Sequence, residues 1–145
     1  MIIQDKKALS KPCTPCETVD EGLEIGKKLL DVLRKTKHGV GLAANQIGIS
    51  KSVCVINVEE PLILVNPKIV GGFGKSTFVE SCLSFPGHVV ETERWTNILV
   101  ESLNEIPTKV FSYEKNALEC VCIQHEVDHL SGVTMFDRAK GRDDE

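Results

Sequence analysis

The segment Gln124-His125-Glu126-Val127-Asp128-His129 contains His-Glu-x-x-His. On a helix, residues four apart stack on one face, so both imidazoles reach a single metal ion. Glu126 then lies beside that face, where a carboxylate takes a proton from water activated by the metal. The competing reading is two surface histidines spaced by chance. The chain has four histidines, and the apolar spacing around these two is already helical, which favours the metal. Two imidazoles leave a catalytic ion one protein ligand short, because such sites use three and keep a position open. His38, His88, the acids and six cysteines (13, 16, 54, 82, 120 and 122) are the candidates, and a thiolate suits Zn or Fe(II). Asp128 is placed to orient a ligand imidazole through its other ring nitrogen. Cys122 reads as core packing despite lying three residues before His125. Cys13 and Cys16 form a Cys-x-x-Cys, but Pro12 and Pro15 interleave it and no second pair accompanies it, a poor case for structural zinc. Spacing alone does not choose the third ligand.

These residues must be positioned by regular elements. Thr18 to His38 predicts a first helix: Thr18-Val19-Asp20-Glu21 fits a capping box, Val19 can staple onto Leu23, the leucines recur at helical spacing, and Gly39 supplies a stop. Gly39 to Gly48 reads as a structured loop. From Lys51 to about Tyr113 the pattern is β. Six short β-branched runs (51–58, 62–70 broken by Asn66-Pro67, 77–84, 89–94, 97–102 and 108–111) are separated by Gly, Pro or Asn turns that suit hairpins and a largely antiparallel arrangement. A second helix is expected from Ser112 to Leu130, with Leu118, Cys122, His125 and His129 on one face, Val121 beside them and Gly132 as the stop. The polar tail from Asp137 is expected to fray. The fold class this predicts is α+β: antiparallel β-sheets packed around a central helix that carries His-Glu-x-x-His, plus one N-terminal helix, in a single domain spanning 1–145.

Composition agrees. Apolar residues make up 41% of the 145 and charged residues 26%, as in a globular domain. Seventeen basic against 21 acidic residues, a net charge of −4, argue against nucleic acid as a partner. No apolar run approaches the roughly 20 residues of a membrane span, and the N-terminus has no signal-peptide h-region. The expectation is a cytoplasmic protein, in which the cysteines are thiols rather than disulfides.

Three segments together resemble the peptide deformylase family. Gly39-Val-Gly-Leu-Ala-Ala-Asn-Gln46 resembles its Gly-x-Gly-Leu-Ala-Ala-x-Gln motif, Glu80-Ser-Cys-Leu-Ser84 its Glu-Gly-Cys-Leu-Ser, and Gln124-His-Glu-Val-Asp-His-Leu130 its Gln-His-Glu-x-Asp-His-Leu. Order and spacing fit as well, over about residues 1 to 136. The resemblance implies Cys82 as the third ligand beside His125 and His129. It implies hydrolysis of the formamide of formyl-methionine on newly made polypeptides, with Glu126 as general base and acid. Gln46 and the Leu83 backbone N–H would be the oxyanion donors. Val40, Gly41, Phe78, Ser81, Leu118, Val121 and Cys122 match substrate-binding positions, and plain core packing is the competing reading for the apolar ones. Glu80 is expected to pair with Arg94 in a structural role that holds the metal-bearing strand. One divalent ion is implied, Fe(II) favoured with Zn or Ni accommodated. The implied protein is a monomer whose partners are formyl-methionyl polypeptides and the ribosome exit region. Ser81 departs from the family's usual Gly and can narrow the groove. The chain also ends soon after the third motif, like short phage-encoded forms, which weakens the expected ribosome contact. A zinc endopeptidase shares His-Glu-x-x-His but takes a downstream His or Glu. No His follows His129, and the acids there sit in or beside a polar tail.

Overall fold

The structure is a computed structural model and describes residues 2–140. A four-residue helix α1 (Lys6–Leu9), which sequence spacing had not suggested, precedes α2 (Val19–Arg34). Thr18 caps α2 by accepting from the Glu21 N–H at 3.1 Å. The reciprocal half of the expected capping box is redirected: Glu21 accepts from the N–H of Glu17 rather than that of Thr18. The helix also ends four residues before the expected His38. Lys35 caps it, and a turn with His38 at φ 62° leads into Gly39. Ile25, Leu29, Leu30 and Leu33 are buried along one face, each contributing about 1.5–3 kcal/mol. Gly22 and Gly26 lie four apart on that face, and a Cβ there would collide with the side chains of Val65 and Ile63. Their lack of a side chain lets α2 press onto the sheet below.

That sheet has the order β1 (Gly41–Ala43), β2 (Val53–Asn57) and β3 (Pro61–Val65), all antiparallel. The stretch read as a loop is thus a short strand followed by a 3₁₀ turn, Ala44–Ile47, closed by Gly48 in the left-handed region at φ 85°. A second antiparallel sheet contains β4 (Lys68–Glu80), β5 (Val90–Glu101) and β6 (Lys109–Ser112). Expected runs are redrawn here: 89–94 and 97–102 join into β5, whereas 62–70 divides at Asn66-Pro67, its first part forming β3 and its end opening β4, which continues through Gly71-Gly72 to Glu80. The glycines are absorbed by continuous pairing with β5, with a register shift between Ile69 and Gly71.

Helix α3 (Tyr113–Leu130) starts where expected, with Ser112 as its cap, but Asn116 is extended at φ −164° and breaks the first turn. Asn116 Oδ1 then accepts from the Glu119 N–H at 3.0 Å and caps the helix afresh. From there α3 runs between the two sheets. Cys120, Ile123 and Leu130 are buried against Cys54, Ile56 and Leu64 of the first sheet and Ile98 and Val100 of the second. Gln124 locks the helix to β5, accepting from the Trp95 N–H at 3.0 Å and donating to the Trp95 carbonyl at 2.9 Å. The helix ends at Ser131, followed by Gly132 at φ 79°. The tail does not fray where it is described. A 3₁₀ turn occupies Met135–Arg138, and Lys140 N–H donates to the Glu91 carbonyl. The remainder of the expected tail lies outside the described residues.

Candidate active site

Three donors from two elements meet in the interior. Cys82 follows the end of β4, and His125 and His129 face it from α3. One donor atom from each lies within 4.8 Å of the others, and all three residues are buried. The two Nε2 atoms are 3.2 Å apart, and Cys82 Sγ is 3.4 Å from His129 Nε2. Cys13 and Cys16 take no part in this cluster and are free thiols.

The imidazole is oriented by a different carboxylate from the one expected. Glu80 Oε1 lies 2.9 Å from His125 Nδ1, which turns Nε2 toward the cluster. Asp128 instead faces away, bonding Arg94 Nη1 at 2.6 Å and receiving a bidentate Arg138 at 3.0 Å. Arg94 forks onto Glu80 at 2.5 and 2.8 Å, and the Thr92 hydroxyl donates to the same carboxylate. The expected Glu80–Arg94 pair is therefore present, and Glu80 also reaches a ligand candidate. Burial raises Glu80, but the hydrogen bonds from Arg94 and His125 outweigh it and hold the carboxyl at about 2. Burial and the neighbouring His125 push His129 down to about 3. Burial opposes charge on His125 too, yet its bonds to Cys82 and Glu80 lift it to about 10.

Glu126 is 4% exposed, and burial raises its carboxyl to about 7. Its Oε1 is buried with no hydrogen-bond partner. A satisfied structural carboxylate would not leave an oxygen bare, so the group is suited to receive a proton from a ligand of the site. A Cβ at Gly41 would approach Cys122 Sγ at 2.5 Å and Glu126 Oε2 at 2.7 Å, so only glycine lets β1 pass this close. Gln46 is 1% exposed. Its Oε1 accepts from the Ala43 N–H at 2.9 Å, while its Nε2 donates to Ser84 Oγ at 3.0 Å and lies 3.7 Å from Cys82 Sγ. Asn45, unremarked in the sequence, ties this turn to α3 by donating to the His129 carbonyl at 2.7 Å.

A cavity of about 310 Å³ opens above these groups. It is lined by every expected pocket position: Val40, Gly41, Phe78, Ser81, Leu118, Val121 and Cys122. Cys82, Leu83, Glu80, His125 and Glu126 also line it, while Gln46 lies just beneath. Ser81 sits past the end of β4 with its side chain exposed at the cavity edge. Leu118, at 40% exposure, borders the opening rather than the core, while Cys122 belongs to both core and wall. Sequence reasoning missed Lys37, Val79, Pro86 and Gly87 at the rim, and His38, a candidate ligand by residue type, lies there rather than among the clustered donors. No spacing rule points to them, because they come from turns and strand ends.

A cysteine sulfur and two imidazoles, one of them oriented by Glu80, beside a buried carboxylate at the foot of an open cavity, are the parts of a single-metal hydrolase. The orphaned Glu126 oxygen and the mixed sulfur–nitrogen set fit such an ion. The chain belongs to the polypeptide deformylase family, whose model matches residues 1–145. It is 38% identical to a peptide deformylase of Aquifex aeolicus over 149 aligned residues, covering 97% of this chain and 87% of that protein. The fold matches the crystal structure of Thermotoga maritima peptide deformylase with a TM-score of 0.82 at 33% identity, covering 97% of each chain. It also matches a probable peptide deformylase of Synechococcus phage S-SSM7, TM-score 0.84 at 27% identity, over 95% of this chain and 98% of the other.

Proposed function

We propose that residues 1–145 form one catalytic domain that removes the formyl group from the N-terminal formyl-methionine of newly made polypeptides and releases formate. The observation that carries this reading is the buried, unpartnered Glu126 oxygen beside the Cys82, His125 and His129 donors at the foot of the cavity. Those three residues hold one divalent ion, with Fe(II) the favoured occupant and Zn or Ni accepted by the same donors. Once bound, the ion supplies Lewis acidity that lowers the pKa of water.

Glu126 accepts the proton of the attacking water at Oε1 and later delivers it to the leaving amine. Negative charge then develops on the formyl oxygen. The Gln46 Nε2–H that faces Cys82 and the Leu83 backbone N–H donate to it, while Ser84 keeps the amide turned that way. Val40, Phe78, Leu118, Val121 and Cys122 supply an apolar slot for the methionine side chain. Gly41 and Ser81 border the reacting end of the substrate. The formyl carbon carries only hydrogen, and a tight pocket there excludes bulkier acyl groups by sterics.

The partners in this reading are formyl-methionyl polypeptides near the ribosome exit region, met by a cytoplasmic monomer without direct contact to nucleic acid or membrane. Among the described residues, no helix is long and apolar enough to cross a membrane. The test is release of formate from formyl-Met-Ala-Ser, set against cleavage of the unformylated peptide. Formate release without peptide cleavage is expected, and peptide-bond cleavage without formate release would overturn the reading. Metal analysis after anaerobic purification decides the ion.

A further inference from the structure

The cavity changes character from floor to mouth. Its floor is buried: Cys82, Cys122, His125 and Glu126 are each less than one-tenth exposed. Its mouth is solvent-facing, formed by Lys37 and His38 on one side and by Val79, Pro86 and Gly87 on the other. The charges divide the same way. The two acids of the lining lie inside, Glu80 bonded to Arg94 and Glu126 beside the donor trio, whereas at the mouth the formal charge is cationic. Lys37 makes no ion pair among the described residues, unlike Lys27, Lys51 and Lys109, each of which has an acidic partner. The Lys37–His38 turn is also held in a defined shape. His38 sits in the left-handed region at φ 62°, unusual for a side chain with a Cβ, and the preceding Thr36 hydroxyl is tied to the Leu33 carbonyl at 2.7 Å.

We propose that Lys37 makes the mouth select polypeptides carrying an acidic side chain within a few residues after the formyl-methionine. The inference rests on the deformylase reading, since that reading places the formyl-methionine on the floor, and the residues that follow it must leave through the mouth that Lys37 borders. Each further residue of extended chain advances about 3.3–3.6 Å, so the second to fourth residues are the ones that cross a rim of this size. An ammonium near a solvated carboxylate acts at partial screening, which sets the effect at about 2- to 5-fold. It acts on binding, not on the bond-breaking step, so it appears in KM and leaves kcat alone.

The experiment compares formyl-Met-Ala-Asp-Ser, formyl-Met-Ala-Ser-Ser and formyl-Met-Ala-Lys-Ser on the metal-loaded enzyme, following formate. Alongside, binding of fluorescently labelled Met-Ala-Asp-Ser and Met-Ala-Lys-Ser is measured without turnover. Expected are a KM lowest for Asp and highest for Lys, a spread that shrinks as salt rises from about 20 mM to about 0.5 M, and inversion of the order in Lys37→Glu. Lys35→Glu makes the same change of charge on an exposed residue outside the cavity and is expected to keep the wild-type order. Equal KM values for the three peptides, an order unchanged in Lys37→Glu, or the same inversion in Lys35→Glu would each overturn the assignment. Formate release without charge preference removes this inference and leaves the deformylase reading intact. Charge-selective binding without formate release does the reverse.

Discussion

At the scale of single residues, Glu126 and Cys82 carry the most specific expectations. Glu126→Gln preserves volume and leaves Cys82, His125 and His129 untouched, but an amide cannot take up the proton. Turnover should fall by about 10²–10⁴-fold with metal content unchanged. Formate kinetics together with metal analysis check this, and a variant retaining more than a tenth of wild-type rate removes the proton-transfer role. Cys82→Ser replaces a thiolate with a neutral hydroxyl, a far weaker ligand. Bound metal should drop steeply in this variant and stay near wild type with serine at Cys13 or Cys16, whose thiols are not among the clustered donors. Metal content across the cysteine panel decides the assignment, and loss in Cys13→Ser would contradict it.

Among elements, α3 has the most exacting task, since it brings His125, Glu126 and His129 to Cys82 while packing between two sheets. Its true start is the Asn116 cap rather than Ser112, because Asn116 is extended and its side chain receives the Glu119 N–H. Asn116→Ala leaves that N–H without its cap and should lower stability by about 0.5–2 kcal/mol. Chemical denaturation measures it, and an unchanged midpoint would show that Ser112 alone suffices. The strand β1 makes the complementary approach from the other side. Gly41→Ala drives a methyl group into Cys122 Sγ and Glu126 Oε2. Overpacking of this kind costs about 1–3 kcal/mol. Because the displaced atom belongs to the carboxylate, formate release should fall about 100-fold, as for other misplacements near 1 Å. Activity within twofold of wild type would mean that the helix yields without moving Glu126.

Over the whole molecule, one charge network, buried at Arg94 and Glu80 and reaching the surface at Arg138, joins the parts. Arg94 on β5 grips Glu80 on β4 and Asp128 on α3, and Asp128 in turn holds Arg138 from the final 3₁₀ turn. The second sheet, the helix that bears the histidines and the C-terminal turn are thereby fixed relative to one another. Arg94→Met should leave the buried Glu80 carboxylate without its arginine partner, held only by His125 and Thr92, and cost about 3–5 kcal/mol. Adding Glu80→Gln to Arg94→Met should recover part of that loss, because the stranded charge is then gone. Urea unfolding of the two variants tests this, and equal midpoints for them would show that the penalty is not electrostatic.

The amino-acid pattern alone was enough for what depends on neighbours along the chain. The helical face shared by His125 and His129, the Thr18 cap and the β character of 51–113 all follow from periodicity and local hydrogen bonding. The motifs around Gln46, Cys82 and His125 marked the family, and all the expected pocket positions line one cavity. What local pattern does not contain is which distant groups meet. Glu80 and Asp128 are both acids near the motif, and nothing in their spacing says which one bonds His125. Cross-strand register decides it, setting Glu80 opposite Val90 and Arg94 opposite Ser76, so that Arg94 lies between the two carboxylates. The length of β4 and β5 has the same origin, since pairing energy along a long hairpin overrides the low strand propensity of Gly71 and Gly72. The early end of α2, the Asn116 break and the cationic mouth at Lys37 also arise where packing between elements, rather than the preference of any one segment, sets the path of the chain.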